Sequence, residues 1–399
     1  MTELQRFTKP FTQQEPISEE GIQAAIQVMQ TGRLHRYNTL ADEPSEVDLL
    51  EQEFARDLGV PYCLACSSGG YALHVALRAA GLQPGEPVLC NSFTLAPVPG
   101  AIHNAGGKAI LVEIDDNLCI DFTDLEKKAQ QTQARYLMLS HMRGHLADME
   151  LIARFCKREG ITLIEDCAHT MGASWNGRQS GSFGDIACFS TQTYKHINSG
   201  EGGLLTTTDP DVIARAILLS GSYMLYDRHP LRPELEDFGD IPFETPNYSG
   251  RMDNLRAAIL RPQLRQLSSS CDRWNALYRH LEENLRSCDL LRLIPRPAQE
   301  RYVGSSFQFF IPSFNEAQMA QFVSSCDARG VSLKWFGDPL PKAYTSRFDS
   351  WRYLGPAPDL PQTEAILSTL IDMRLPLTFN NEDIEIIAQI IGSVVLECQ

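Results

Sequence analysis

Lys195 lies in the stretch Phe189 to Gly203, between two features that would hold it in place. Upstream, Ala187, Cys188 and Phe189 form an apolar run that reads as the end of a buried strand. Downstream, Gly200 to Gly203 form a turn in which the chain can bend back sharply. About thirty residues earlier, Ile161 to Asp166 reads as another strand, with a carboxylate at its last position. An amine and a carboxylate on loops after successive strands are the two groups that pyridoxal phosphate requires. The amine condenses with the aldehyde, and the carboxylate keeps the pyridine nitrogen protonated so that the ring acts as an electron sink. A lysine beside a glycine turn is by itself an ordinary solvated residue; its pairing with Asp166 gives it a chemical reading.

Other stretches add to that pair. Ser67-Ser68-Gly69-Gly70-Tyr71 stands at a predicted helix start, where exposed amides and the helix dipole favour an anion such as the phosphate. The same letters also suit an ordinary serine N-cap. Ser190, five residues before Lys195, is placed to donate a second hydrogen bond to the phosphate. Neighbours on a strand point to opposite faces, so only one of Glu165 and Asp166 can aim at a ligand, and Asp166 is last before the turn. His169 follows closely enough to touch the ring or its phenolic oxygen; the alternative is a structural histidine. The chain has neither a Walker A pattern nor a G-x-G-x-x-G fingerprint. The single Cys63-x-x-Cys66 pair has no second pair and no histidine at zinc spacing, so no metal site is expected.

The surrounding elements set the fold class. Short apolar runs at Tyr62–Ala65, Val88–Cys90, Ala109–Val112, Tyr136–Ser140, Thr162–Glu165, Ala187–Ser190 and Leu204–Thr207 alternate with helical patterns. This predicts an α/β fold with a mostly parallel seven-stranded sheet covered on both faces. Helices are expected from Glu15 to Thr31 and from Ser45 to Leu58 ahead of it, and at Arg251–Leu267 and Asp272–Leu285 behind it. Tyr223 to Ser249 reads as a long loop. From about Arg292 the pattern changes to short strands and helices, a smaller α+β unit. The expected division is an N-terminal helical segment, 1–60, packing on the body; a large cofactor-binding domain, 61–270; and a small C-terminal domain, 271–399.

Composition narrows the partners. The 399 residues carry a formal net charge of -15, with no basic run, which argues against a nucleic-acid ligand. The 11 cysteines, scattered in apolar runs, suit reduced thiols in a cytoplasmic protein. The polar stretch Met1 to Glu20 and the absence of a long apolar run predict neither a signal peptide nor a membrane span.

The motifs Glu165-Asp166-Cys-Ala-His169-x-x-Gly172-Ala173, Gly177-Arg178-x-x-Gly181-Ser182-Phe183-Gly184-Asp185 and Phe189-Ser190-x4-Lys195-x4-Gly200-Glu201-Gly202-Gly203 closely resemble the DegT family. These are fold type I pyridoxal phosphate aminotransferases that act on keto sugars and cyclitols. Ser67-Ser68-Gly69, His141-x-x-Gly144-x-x-Ala147-Asp148-Met149 and Arg251-Met252-Asp253 extend the resemblance over nearly the whole chain. It implies that Lys195 forms the aldimine and shuttles the proton, that Asp166 holds the pyridine nitrogen and that His169 sits at the ring's 3-oxygen. Ser190 and the amides near Ser68, Gly69 and Gly70 would bind phosphate. It also implies a homodimer with active sites at the interface, Asn247 to Arg251 reaching the partner's cofactor. The implied reaction moves an amino group from glutamate or glutamine to a keto sugar, cyclitol or related small keto substrate. The alternatives on this scaffold are a lyase, dehydratase or cyclase and, in another class, a non-catalytic regulator.

The chain departs from the family pattern at several positions. Leu95 stands where the family has an aromatic residue stacking on the cofactor. Gly70-Tyr71 replaces a Thr-Ser pair, and Ser249 replaces an Asn, with Asn247 nearby. Met142-Arg143 replaces an apolar residue and an aromatic. Arg143 could pair with a substrate carboxylate or phosphate, or form a structural salt bridge. Tyr194 and His196, on either side of Lys195, are assigned with Arg143 to the substrate side. These departures bring a carboxylate-bearing or amino-acid-like substrate into consideration beside a keto sugar.

Overall fold

The protein is described by a computed structural model that covers residues 6–40, 43–340 and 347–399. The first five residues of the polar N-terminal stretch lie outside the described residues. Seven strands make the main sheet: β1 (Tyr62–Cys66), β2 (Pro87–Asn91), β3 (Lys108–Val112), β4 (Tyr136–Ser140), β5 (Thr162–Asp166), β6 (Ile186–Ser190) and β7 (Gly203–Thr207). Their order is β1-β7-β6-β5-β4-β2-β3. The pairs from β6 through β5, β4 and β2 to β3 are parallel, whereas β7 runs antiparallel to both β6 and β1.

Every residue of β4, β6 and β7 is buried, as expected of a sheet with two covered faces. Alternation then assigns the side chains. Met138 and Ile164 join the core on one face, and Leu137, Leu139 and Leu163 join the core on the other. Because the parallel strands share a direction, their C-terminal ends lie on one edge. Asp166 and Ser190 both occupy that edge.

Capping chemistry trims the predicted helices. The first helix is Glu19–Thr31, not from Glu15, because the Ser18 side chain caps it by accepting from the Gly21 amide; Gly32 ends it at φ 69°. The two helices expected between Arg251 and Leu285 are one helix, Asn254–Leu285, with Pro262 inside it. The apolar pattern lapses at Ser268–Ser270, but the turns on either side are packed, and Cys271 and Trp274 are buried. The loop at 223–249 is short-turn structure rather than open coil: 3-10 turns at Tyr223–Arg228 and Leu235–Phe238, then a single helical turn, Ile241–Glu244. Phe238 anchors it in the core.

A second, antiparallel sheet is built from β8 (Arg292–Leu293), β9 (Ser306–Phe310), β10 (Lys334–Trp335) and β11 (Leu370–Arg374), in the order β8-β9-β11-β10. Its core includes two residues from the far end of the chain. Phe7 and Phe11 pack edge-on against Phe379, at 5.1 and 5.0 Å between ring centroids. Among the described residues no helix is long and apolar enough to cross a membrane.

Candidate active site

β5 ends in two carboxylates that part company. Glu165 is fully buried and its oxygens accept from the amides of Gly181 (3.1 Å), Phe183 (2.8 Å) and Gly184 (2.7 Å), with His141 Nε2 at 3.1 Å. The Cys167 thiol also lies nearby. With its lone pairs committed to backbone amides, Glu165 is a structural brace. Asp166, one residue on, has a lighter set of partners. Its Oδ2 accepts from Ser140 Oγ at 2.9 Å, and its Oδ1 from the Ala168 amide at 3.1 Å.

Lys195 hangs on the loop after β6, where its amide donates to the Gln192 carbonyl. Its Nζ lies 2.8 Å from His169 Nε2. The Arg143 amide donates to His169 Nδ1 at 3.4 Å, which leaves the ring proton on Nε2 and makes the neutral Lys195 amine its acceptor. Burial pulls the Lys195 amine down to about 7; Asp166 opposes the shift, and Arg143 and Arg374 add to it. Burial, then the charges of Lys195 and Arg143, push His169 well below the usual histidine range. The structure thus brings Lys195, His169 and Asp166 into one electrostatic unit.

The phosphate turn closes against this unit from one side. Ser68 Oγ caps the helix Gly69–Ala79 by accepting from the Tyr71 amide at 3.1 Å. Helix geometry leaves the amides of Gly69 and Gly70 without intrahelical partners. Gly69 is pressed onto β6: a Cβ there would lie 2.8 Å from Ser190 Cβ. A Cβ on Gly203 would lie 2.5 Å from the Ser68 backbone. Helix start, Ser190 and the glycine turn therefore form one narrow cradle that only glycine permits. Thr94 Oγ1, buried beside Leu95, has no hydrogen-bond partner among the described residues. An amine with a lowered pKa, a carboxylate at a strand end, an amide cradle and an orphaned buried hydroxyl fit pyridoxal phosphate.

Residues 15–392 match the model of the DegT/DnrJ/EryC1/StrS aminotransferase family. The chain belongs to that family. It is similar to a GDP-perosamine synthase of Caulobacter vibrioides, 34% identical over 54% of this chain and 56% of that protein. It is also similar to an L-glutamine:2-deoxy-scyllo-inosose aminotransferase of Streptomyces kanamyceticus, 32% identical over 60% of this chain and 56% of that protein. The matched segments thus span little more than half the length of these relatives. The fold extends further: the aminotransferase TlmJ of Streptoalloteichus hindustanus superposes with a TM-score of 0.82 at 20% identity, covering 97% of this chain and 98% of that one.

The remaining expected positions of this family member are spread more widely. Leu95 is half-buried and packs on the large core. Asn247 is exposed, without a hydrogen bond to any described residue. Its neighbours are held close to the phosphate turn: Tyr248 stacks on Tyr71 at 5.7 Å, and the Gly250 carbonyl accepts from the Ser67 amide at 2.7 Å. Both ring nitrogens of His196 are occupied, Nδ1 by the Met171 carbonyl (2.8 Å) and Nε2 by Ser305 Oγ (3.0 Å). Tyr194 lies beneath the guanidinium of Arg374, 3.6 Å from its ring centroid. Arg143 pairs with Asp372 at 2.8 Å. Sequence reasoning missed Asp372, Arg374 and Lys334; the signal was the alternation Leu-Ile-Asp-Met-Arg in β11, which sends the charged residues to the face opposite the core.

Proposed function

We propose that the protein is a pyridoxal phosphate-dependent aminotransferase that moves an amino group from an amino-acid donor, glutamate or glutamine, to a keto sugar, cyclitol or related small keto substrate. The observation that carries this reading is the buried Lys195 amine, held 2.8 Å from His169 with its pKa lowered by burial to about 7. Membership of an aminotransferase family and the two named relatives support it.

Pyridoxal phosphate, when bound, supplies an aldehyde carbon and a ring that takes up an electron pair. Lys195 would hold that carbon, Asp166 the ring nitrogen, and Ser190 with the amides of Gly69 and Gly70 the phosphate. Near pH 7 a large share of the Lys195 amine is neutral, so it can act as a nucleophile and later accept and return a proton. His169 Nε2 holds that amine in place. Glu165 fixes the strand end on which Asp166 sits.

The protein acts as a homodimer with active sites at the interface. In support, Met224 (83% exposed) and Phe243 (87%) present apolar surface on the segment leading to the phosphate turn, and Asn247 lies beyond them. A cytoplasmic location accords with the 11 cysteines, none of which is joined to another.

The test is an absorbance scan of the purified protein with pyridoxal phosphate, before and after glutamate or glutamine. A visible band that both donors or either one converts to the amino form of the cofactor is the expected result. No band after cofactor addition would overturn the reading.

A further inference from the structure

β11 sorts its side chains by alternation. Ile371 and Met373 enter the small core with Phe307 and Phe309, so Asp372 and Arg374 fall on the other face. The register places Lys334 on one side of Asp372 and Gln308 on the other, and Ser306 beside Arg374. The segments next to the Lys195 unit come down on this polar face. Arg143 Nη2 meets Asp372 Oδ2 at 2.8 Å, His145 meets Gln308 at 2.9 Å, and Tyr194 meets Arg374.

The junction is unbalanced in two ways. Among the described residues, Arg143 and Arg374 bring two guanidinium charges to the single carboxylate of Asp372. Asp372 is already engaged by Arg143 on Oδ2 and by Gln308 Nε2 on Oδ1 at 2.8 Å. Burial and the neighbouring Arg143 pull Lys334 down to about 8 and lower Arg374, the response of cations crowded in a poorly solvated space. The second imbalance is geometric. Arg143 is only 9% exposed, yet its Nε has no hydrogen-bond partner among the described residues. Its backbone is held at φ 56°, an uncommon conformation for arginine. The salt bridge to Asp372 accounts for Nη2, and the guanidinium carbon lies 5.8 Å from the Phe336 ring centroid; Nε is left without a hydrogen-bond partner among the described residues, and one carboxylate faces two guanidiniums.

We propose that Arg143 and Arg374 form a subsite for a carboxylate of the substrate, next to Lys195. An arginine fork pairs with a carboxylate through two parallel hydrogen bonds, and Tyr194 beneath Arg374 restrains that fork. Lys334 strengthens the field. The identity of the carboxylate rests on the aminotransferase reading: it belongs either to the amino donor or to a keto acid acceptor.

The experiment uses succinate, which has carboxylates but no amino or keto group to react. Calorimetric titration of the purified protein should show binding that weakens with added salt. Arg374→Gln should weaken it by about tenfold or more, and Arg374→Lys by less. Arg374 is the residue to change, because Arg143→Gln would leave Asp372 buried without its cation. A thermal melt of Arg374→Gln checks that it is folded. Unchanged succinate affinity in Arg374→Gln, or no binding to the wild type at tens of millimolar, would overturn the proposal. The glutamate half-reaction then separates the two sources. If Arg374→Gln also weakens glutamate, the carboxylate is the donor's; if glutamate is unaffected while succinate is weakened, it is the acceptor's. A protein that binds succinate through Arg374 but shows no cofactor band would keep the subsite and lose the aminotransferase reading.

Discussion

The Lys195 amine and the His169 ring stand 2.8 Å apart, and burial lowers the pKa of both. That relationship has a signature in stability. The folded chain binds the Lys195 proton with a pKa of about 7, the unfolded chain with one near 10.5. Between these values the unfolded state holds a proton that the folded state lacks, so stability rises with pH. The gain is complete above the unfolded value and is lost as pH falls toward 7. The slope is at most about 1.4 kcal/mol per pH unit. Denaturant unfolding of the cofactor-free protein at pH 7, 8 and 9 should show this rise in wild type and a flatter profile in Lys195→Met. Parallel profiles would refute it.

The two carboxylates of β5 predict opposite outcomes. Asp166→Asn preserves shape, and the Ser140 hydroxyl can turn to accept from the new amide. The variant should melt close to wild type while turnover falls about a hundredfold or more. Glu165→Gln points an NH2 group at amides that need an acceptor. It should lose several kcal/mol of stability, at roughly 1–3 kcal/mol for each orphaned group. Thermal melts and turnover of both variants check the pair, and equal effects on both readouts would contradict the division of roles.

That Glu165 and Asp166 have different surroundings was legible, because neighbours on a strand point to opposite faces. So were the seven strands, whose apolar runs stand out, and the placement of Asp166 at the end of one strand and Lys195 on the loop after the next. The features that escaped depend on distant segments. Phe7 meets Phe379 only because the two chain ends converge, and no local pattern marks that. The continuous helix through Ser268–Ser270 ran against the tendency of serine to favour caps and turns, and the packed turns around it prevailed. Arg374 is an unremarkable surface letter in sequence; it joins the site through the register of β11 with β9 and β10 and through the arrival of Tyr194 from another loop.

Arg36 ties the N-terminal helices to the main sheet. It is fully buried and grips Glu51 with both terminal nitrogens, at 2.8 and 2.9 Å, and Asp48 at 3.0 Å. Glu51 in turn accepts from the Ala65 amide of β1 at 2.7 Å. Removing Glu51 leaves the buried Arg36 with Asp48 as its remaining carboxylate, a loss of up to about 3–5 kcal/mol. Glu51→Gln should therefore lower the unfolding free energy, read from chemical unfolding, by up to that amount. The double change Arg36→Met, Glu51→Leu should recover part of the loss, since it removes both buried charges and leaves only Asp48, which is partly exposed and still caps its helix with Ser45, and the Ala65 amide without these partners. Equilibrium unfolding of the two variants decides it, and a double variant no better than the single would show that the pair itself is indispensable.

The contact between Gly69 and Ser190 yields the most direct test of the cradle. Alanine at 69 would favour the helix intrinsically, by roughly 0.8–1 kcal/mol. Its Cβ, however, would lie 2.8 Å from Ser190 Cβ and 3.2 Å from Ser190 Cα. Ser190 cannot retreat, because its strand is buried and paired with Gly203 of β7. The helix start must withdraw, which carries the amides of positions 69 and 70 away from Ser190. Gly69→Ala should raise the pyridoxal phosphate concentration needed for half-saturation about tenfold or more, read from the visible absorbance of the bound cofactor. In a Ser190→Gly background the same substitution should matter far less, because the Cβ it would strike is gone. A double-mutant cycle over the four proteins measures that coupling. Additive effects would mean that the two residues do not share one cradle, and that the phosphate is held elsewhere.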